Sequence, residues 1–337
     1  MLMGLKTALA AAMLFAAASA AQAADQVSVQ LDWVVRGNHA MFFVAKEKGY
    51  FEKNGIEVTA IRKGTGSVDA LRLVGAGNAD FGFGDLPTLA IARSQSVPVV
   101  ALAAVNQRSP MGMIALAKTK TLAKPEDLKG LDIGVHTAGS TYVFLRAFLA
   151  ANGMSEADIK KKTVAPPYEN YLLLGRVTAV PGYIDAEVPE LEAKAGGPGS
   201  LSVIMGADWG YNVYGSGLFT SEAIIAEKPE LVERFTAAYL AAFADVIANP
   251  GEAADIIIKA NPEYGGKRDI LVKQLEADIK ATFFSPETAK DGIGAMTLDS
   301  WKATVKVLRE QGVMKKDIDL EAVFSNRFVL AAKPLKK

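Results

Sequence analysis

The chain of 337 residues contains no cysteine. That absence excludes disulfides, thiolate metal sites and a cysteine nucleophile. It also excludes a lipoprotein, because no cysteine is there to acylate after a leader. Histidine is scarce too. The two present, His39 and His136, stand far apart and fit no ligand-cluster spacing. No metal and no cofactor is expected. An excess of charge of one sign is also missing: 37 basic residues balance 37 acidic ones. Nothing therefore draws the chain to nucleic acid or to an anionic membrane surface. Past the leader no apolar run is long enough to cross a bilayer. Short repeats, low-complexity tracts and like-charge runs are absent as well.

What is present begins with a secretory pattern. Lys6 gives a positive start, Ala8–Ala18 a short apolar core, and Ala21-Gln22-Ala23 a small-x-small cleavage site. Residues 1–23 are expected to be removed and the remainder to be free in a periplasm-like space. Lys6 is the only charged residue lost, so the remainder carries one net negative charge. Its length suits two lobes, and a 50% hydrophobic composition is enough for real cores.

Residues 27–58, VSVQLDWVVRGNHAMFFVAKEKGYFEKNGIEV, predict strand, polar loop, helix, tight turn and strand. Val27, Val29 and Leu31 alternate with polar residues, the pattern of a strand with one buried face. The chain leaves that strand's carboxyl end through Asp32-Trp33-Val34-Val35-Arg36-Gly37-Asn38-His39. In open α/β sheets, ligands bind at such ends. Gly55 suits the left-handed position that ends the helix. The alternation continues through a strand at Ile56–Ile61, a helix N-capped by Ser67, a strand at Ala79–Phe83 and a helix N-capped by Asp85, with Pro87 in its first turn. Val97–Val105 is expected as a buried strand. The pattern restarts with a strand at Met113–Ala117, and KPEDLKGLDIGV reads as a short helix, a turn and a strand. His136-Thr137-Ala138-Gly139-Ser140-Thr141 then opens a helix through Ala151. Strands are expected at Val177–Val180 and Ser202–Met205, and from Gly215 onward the text is helical.

This order of motifs resembles the periplasmic solute-binding proteins of the thiamine-pyrimidine-precursor and nitrate/sulfonate/taurine family. The resemblance rests on LDW, the Asn38-His39 pair, VAKEKGYFEKNGIEV, ADFGFGDLPTLAIARSQSVPVVALAA, PELVERFTAAYLAAFADVIANP and DLEAVFSNRF. It covers nearly all of the chain past the leader. It implies an α/β, two-lobed periplasmic binding protein fold (type II-like) with a ligand cleft between the lobes. Residues 24–112 plus 214–337 would form lobe one and residues 113–213 lobe two. It also implies a small-molecule ligand, and an ABC transporter permease with its ATPase as partners. A monomer without direct membrane insertion is expected. LDW with Asn-His resembles the pyrimidine-precursor branch most. That branch usually carries Pro-Asn soon after the Trp, where this chain has Val35-Arg36, so the loop has room for a different ligand.

Several residues are candidates for ligand contact. Trp33 offers a flat face for an aromatic or cationic ligand, against the commoner fate of packing under a strand end. Asn38 and His39 offer hydrogen bonds, against helix capping. Gly64-Thr65-Gly66-Ser67 and the loop holding Gly139, Ser140 and Thr141 each precede a helix, where free N–H groups bind anions or carbonyls. Gly66 and Ser67 would serve one side of a cleft and Gly139–Thr141 the other, and anionic-ligand members of the family use loops like these. Asp85 joins the candidates, with Tyr183 and Trp209 as aromatic cleft walls. In the pyrimidine branch a Glu at the place of Glu187 pairs with the aminopyrimidine edge, bidentate geometry that makes such pairs strong. Otherwise Glu187 is a first-turn acid favoured by the helix dipole, and Asp185 leans toward capping. Arg36 and Arg108 are cleft-side candidates for an anionic ligand, with a solvated surface position the plainer reading.

The expected function is capture of an aromatic nitrogen heterocycle, such as a thiamine pyrimidine precursor. The runner-up is a small anion: a sulfonate, nitrate or an aromatic carboxylate. A cleft-facing Glu187 argues against a bare anion, since burying a like charge is costly; a Glu187 turned away favours it. Of other classes, an enzyme on the same fold finds its cysteine routes closed, and no nucleophile–base pair is apparent. A ligand-sensing partner of a membrane receptor stays open.

Overall fold

The computed structural model describes residues 23–165, 167 and 169–337. The expected leader therefore lies almost wholly outside the described residues. The rest folds around two five-stranded sheets. The strands are β1 (Asp25–Gln30), β2 (Ile56–Arg62), β3 (Phe81–Asp85), β4 (Val99–Ala104), β5 (Met111–Leu116), β6 (Asp132–Val135), β7 (Lys160–Thr163), β8 (Ala179–Tyr183), β9 (Leu201–Met205) and β10 (Ser216–Ser221). Sheet one has the order β2-β1-β3-β10-β4 and sheet two β7-β6-β8-β5-β9. We call the bodies built on them lobe one and lobe two.

Each sheet is mixed. β1 runs parallel to β2 and β3, and β6 parallel to β7 and β8. β10 lies antiparallel between β3 and β4, and β5 antiparallel between β8 and β9. Those two antiparallel strands are the first that the chain lays down after each crossover, at residues 105–110 and 206–215. A strand entered from the other lobe starts at the cleft and runs away from it, so it opposes its neighbours. The parallel strands β1, β2 and β6 run the other way, and the loops at their carboxyl ends face the cleft.

β1 departs from expectation. Ser28 and Gln30 are buried as well as Val27 and Val29, because helices cover both faces of a largely parallel sheet. Its polar side chains are bonded. Ser28 Oγ donates to Asp80 Oδ2 at 2.9 Å and Gln30 Nε2 to the Leu31 carbonyl at 2.9 Å. One face packs on helices Ala40–Glu47 and Pro229–Ala248 through Phe42, Phe81, Phe235 and Tyr239. Phe81 and Phe235 stack with centroids 3.6 Å apart. The other face carries a second cluster around Trp301, Leu86 and Phe219.

Two strands were not expected. β7, KKKT, has no apolar residue and is exposed throughout. β10, SGLFTS, lies where a helical run was read, and all six of its residues are buried. Gly217 there has no room for a side chain: a Cβ would fall 2.3 Å from the Ala103 carbonyl oxygen. Helices follow only from Glu222. No described helix is long and apolar enough to cross a membrane.

Candidate functional site: a cleft between the two sheets

The carboxyl ends of β1, β2 and β6 converge with Tyr183, the last residue of β8, on one narrow cleft. Lobe one contributes Asp32, Trp33, Arg36, Asn38 and His39 from the loop after β1, and Gly66 and Ser67 from the loop after β2. Lobe two contributes His136, Gly139, Ser140 and Thr141 after β6, and Tyr183.

Close backbone approach builds the lobe-one wall. Gly64 N–H donates to the Trp33 carbonyl at 3.0 Å. A Cβ on Gly64 would fall 2.1 Å from the Leu31 carbonyl oxygen, so only glycine lets the two loops touch. Gly66, at φ 154°, holds the N-cap position and approaches Ala138 of lobe two. Ser67, expected as the cap, is instead the first helical residue. Its hydroxyl donates to Asp32 Oδ2 at 3.2 Å and accepts from the Asp85 N–H at 3.2 Å.

His39 is 1% exposed and both ring nitrogens are engaged. The Arg36 backbone N–H, which can only donate, meets Nδ1 at 3.1 Å. Nδ1 is therefore the acceptor, and Nε2 carries the proton toward Asp32 Oδ1 at 3.0 Å. The imidazole braces the loop as well as lining the cleft.

Arg36, read as a plain surface residue, is 8% exposed. Its Nη2 donates to Glu187 Oε1 of lobe two at 2.5 Å. Its guanidinium carbon lies 5.7 Å from the Trp33 ring centroid. Trp33 in turn packs against the apolar cluster of lobe two that includes Val180 and Leu191, 6.1 Å from the His136 ring. It thus spans the cleft. It also lines a second, outer groove with Val34, Tyr264 and Lys267.

Lobe two offers mostly donors. Helix Ser140–Ala151 is capped by Gly139, which has no side chain to bond the first N–H groups. Ser140 Oγ and Tyr183 Oη are 2.9 Å apart. Burial, with the charges of Asp85 and Asp32, pushes the Tyr183 hydroxyl well above its usual range, so it stays protonated.

Three expected site residues stand apart from the lining. Asp85 is fully buried behind Ser67 and caps helix Leu86–Ser94 through Thr88 N–H at 2.8 Å. Burial pushes its carboxyl up to about 7; the bonds from Thr88 oppose this and the charge of Asp32 adds to it. Glu187 is 2% exposed and held by Arg36 at the cleft's edge. Trp209 is 36% exposed on the second crossing, outside the cleft lining, and its carbonyl accepts from Asn152. Arg108 is at the surface, paired with Asp208 at 2.7 Å. Asp185 is not a cap: it is buried against Asp278 of lobe one. Asp32 and His136 were not singled out for ligand contact. Their only sequence signal was a position just after a strand. Among the described residues no group of three or more His, Asp or Glu is placed to hold a metal ion.

The profile of the NMT1/THI5-like family matches residues 36–253. The chain belongs to that family. Among relatives, it is 30% identical to the riboflavin-binding protein RibY of Chloroflexus aurantiacus, over 90% of this chain and 86% of that one. It is 26% identical to the formylaminopyrimidine-binding protein of Halalkalibacterium halodurans, over 92% of each chain. A 4-amino-5-hydroxymethyl-2-methylpyrimidine phosphate synthase of Legionella pneumophila is 22% identical over 90% of this chain and 92% of its own, so this NMT1/THI5-like chain has both binding proteins and enzymes among its relatives. In structure it resembles the periplasmic aliphatic sulphonate binding protein SsuA of Escherichia coli, with a TM-score of 0.70 at 14% identity, over 93% of this chain and 94% of that one. The fold is that of periplasmic binding proteins.

Proposed function

We propose that the protein is an extracytoplasmic solute-binding protein. It captures a flat aromatic nitrogen heterocycle between its lobes and delivers it to an ABC transporter permease driven by its ATPase. The observation that carries this reading is Trp33. It reaches from lobe one onto the apolar cluster of lobe two and lines the cleft beside a guanidinium. A ring held there gains a stacking face from one lobe and hydrogen bonds from the other. The relatives that bind riboflavin or formylaminopyrimidine support a heterocycle over an aliphatic ligand.

In this reading residues 24–112 with 214–337 move as one body and 113–213 as the other, in a periplasmic monomer without its leader. Capture without turnover is favoured because the groups that could do chemistry are engaged elsewhere. His39 has both nitrogens bonded, and the Tyr183 hydroxyl is pushed away from ionising. Incubating the ligand with the protein and recovering it unchanged tests this. Conversion that scales with protein concentration would favour the synthase-like alternative.

A second reading, a small anion such as a sulfonate, nitrate or an aromatic carboxylate, is favoured by Arg36 in the lining and by the uncapped start of helix Ser140–Ala151. Calorimetric titration with a flavin, a thiamine pyrimidine precursor and an aromatic sulfonate separates the two. Binding of the sulfonate alone would overturn the heterocycle.

A further inference from the structure

We propose that the outer groove beside the cleft is a subsite for an anionic tail on the captured ring, such as a phosphate ester. The proposal rests on the heterocycle reading above and names what the ring carries.

The groove and the cleft share a wall. Trp33 lines both. The loop after β2 does the same in two parts, with Gly64 and Thr65 on the groove and Gly66 and Ser67 on the cleft. The groove has a volume of about 500 Å³, within the ~300–1,000 Å³ of small-molecule sites, and residues of both lobes line it. A substituent that leaves a ring on Trp33 past the indole edge enters this groove.

Charge decides what kind of substituent the groove takes. Glu190 of lobe two accepts on Oε1 from Lys194 of its own helix at 3.0 Å and from Lys267 of lobe one at 2.9 Å. Burial pushes the Glu190 carboxyl up, but the bonds from Lys267 and Lys194 outweigh it and hold the group below its usual range. It is therefore ionised, and two ammonium groups share one negative charge. The other acid lining the groove, Glu263, is bonded to Lys63. These five groups together leave one positive charge in surplus. Each ammonium has three N–H donors and gives one to Glu190. The Lys194 and Lys267 side chains are 43% and 41% exposed, so their other donors can turn from water to an incoming anion. Lys267 also lies 5.6 Å from the Tyr264 ring centroid, which keeps it over the groove. The oxygens of one phosphate would accept charge-assisted bonds from both lobes at once.

The test is calorimetric titration of the full mature chain with two matched pairs: riboflavin against flavin mononucleotide, and 4-amino-5-hydroxymethyl-2-methylpyrimidine against its phosphate. For whichever ring binds, the phosphate ester is expected to bind at least about tenfold more tightly than the neutral form, and that preference should shrink as salt is raised. Lys194→Gln cancels the surplus charge while Lys267 still holds Glu190, and should cut the preference to about twofold or less. Glu190→Gln doubles the surplus and should raise the preference. Thermal melts verify that both variants fold. Lysines that merely clasp the lobes would shift ester and neutral ring alike. If the wild type binds a ring and its ester equally, or binds the ester more weakly, or if both variants leave the ratio unchanged, the tail subsite is wrong while the heterocycle reading stands. If none of the four compounds binds, both are overturned.

Discussion

Two buried contacts cross from lobe one to lobe two at the start of the same helix, Ile184–Ala195, and they are opposite in kind. Arg36 and Glu187 are a cation and an anion. Asp185 and Asp278 are two carboxyls, 5% and 1% exposed. The first contact is an attraction between opposite charges. The second attracts only if the pair keeps a proton. Burial raises both carboxyls, Asp185 well above its usual range and Asp278 to about 6. Asp278 Oδ1 accepts from Asn106 Nδ2 and Thr282 Oγ1, each at 2.7 Å, and the Asp185 carboxyl opposite it is buried with no hydrogen-bond partner of its own, so a proton on the pair relieves the like charge. Asn106 lies on the crossover and also fixes Gly215 and Ser216 of the second crossing. The carboxyl pair is therefore tied to the hinge, and the ion pair to the ligand side. Closure should depend on charge at the cleft and on protons at the hinge.

Removing one partner of the ion pair should have the largest effect. Arg36→Ala removes the cation bonded to buried Glu187, and breaking a buried pair in this way typically costs about 3–5 kcal/mol. Two readouts apply. Urea denaturation should show the loss if the lobes stay closed. Small-angle scattering should show expansion if the protein opens to hydrate Glu187 instead. An unchanged denaturation midpoint and radius of gyration would mean the pair is not needed for closure.

Next in size is Trp33. Trp33→Ala should weaken a flat heterocycle by about 1–3 kcal/mol, the usual worth of base–aromatic stacking, measured by calorimetry. A small inorganic anion should be less affected.

The carboxyl contact predicts a pH dependence with a definite sign. A carboxyl raised in the closed state, but ordinary once the lobes part, is protonated on closing. Its stabilisation is complete below the ordinary value of about 4 and is lost as pH rises toward the raised one. Ligand affinity should therefore rise as pH falls from about 7.5 to about 5, by at most about tenfold per unit for each proton taken up. Asp185→Asn keeps the side chain's shape without a titrating proton and should flatten that profile. Asp85, raised to about 7, gives the same sign of pH effect on fold stability, so Asp85→Asn is the control. A profile that persists in Asp185→Asn and vanishes in Asp85→Asn would move the proton away from the hinge. The smallest effect is expected at Trp209. Exposed and outside the cleft lining, Trp209→Ala should change stability by less than about 0.5 kcal/mol and leave affinity unchanged.

Much of this was legible in the chain. Strands with continuous apolar runs, such as Val99–Ala104, and turns marked by glycine declared themselves. So did the loops after β1, β2 and β6, because a strand that ends in polar, small residues ahead of a helix marks its own carboxyl end. Trp33, Asn38, His39, Gly66, Ser67, Gly139, Ser140, Thr141 and Tyr183 come together in one cleft. β10 was hidden, because a six-residue strand of Ser, Gly and Thr around Leu218 and Phe219 has neither alternation nor length, and is buried by what surrounds it. The partner of Arg36 was hidden for a different reason. It lies 151 positions away in the other lobe, and no local pattern encodes how two lobes face each other. Asp185 was hidden in the same way, as an acid at the start of a helix reads as a cap until Asp278 is placed opposite it.

The central claim is that the lobes close on a heterocycle and that closing takes up protons at the hinge. Calorimetric titration of riboflavin at about pH 6, repeated in buffers of different ionisation enthalpy, tests both parts at once, because the buffer dependence of the heat counts protons. The account predicts binding with net proton uptake, which Asp185→Asn reduces. Binding with no uptake, or with proton release, would contradict it.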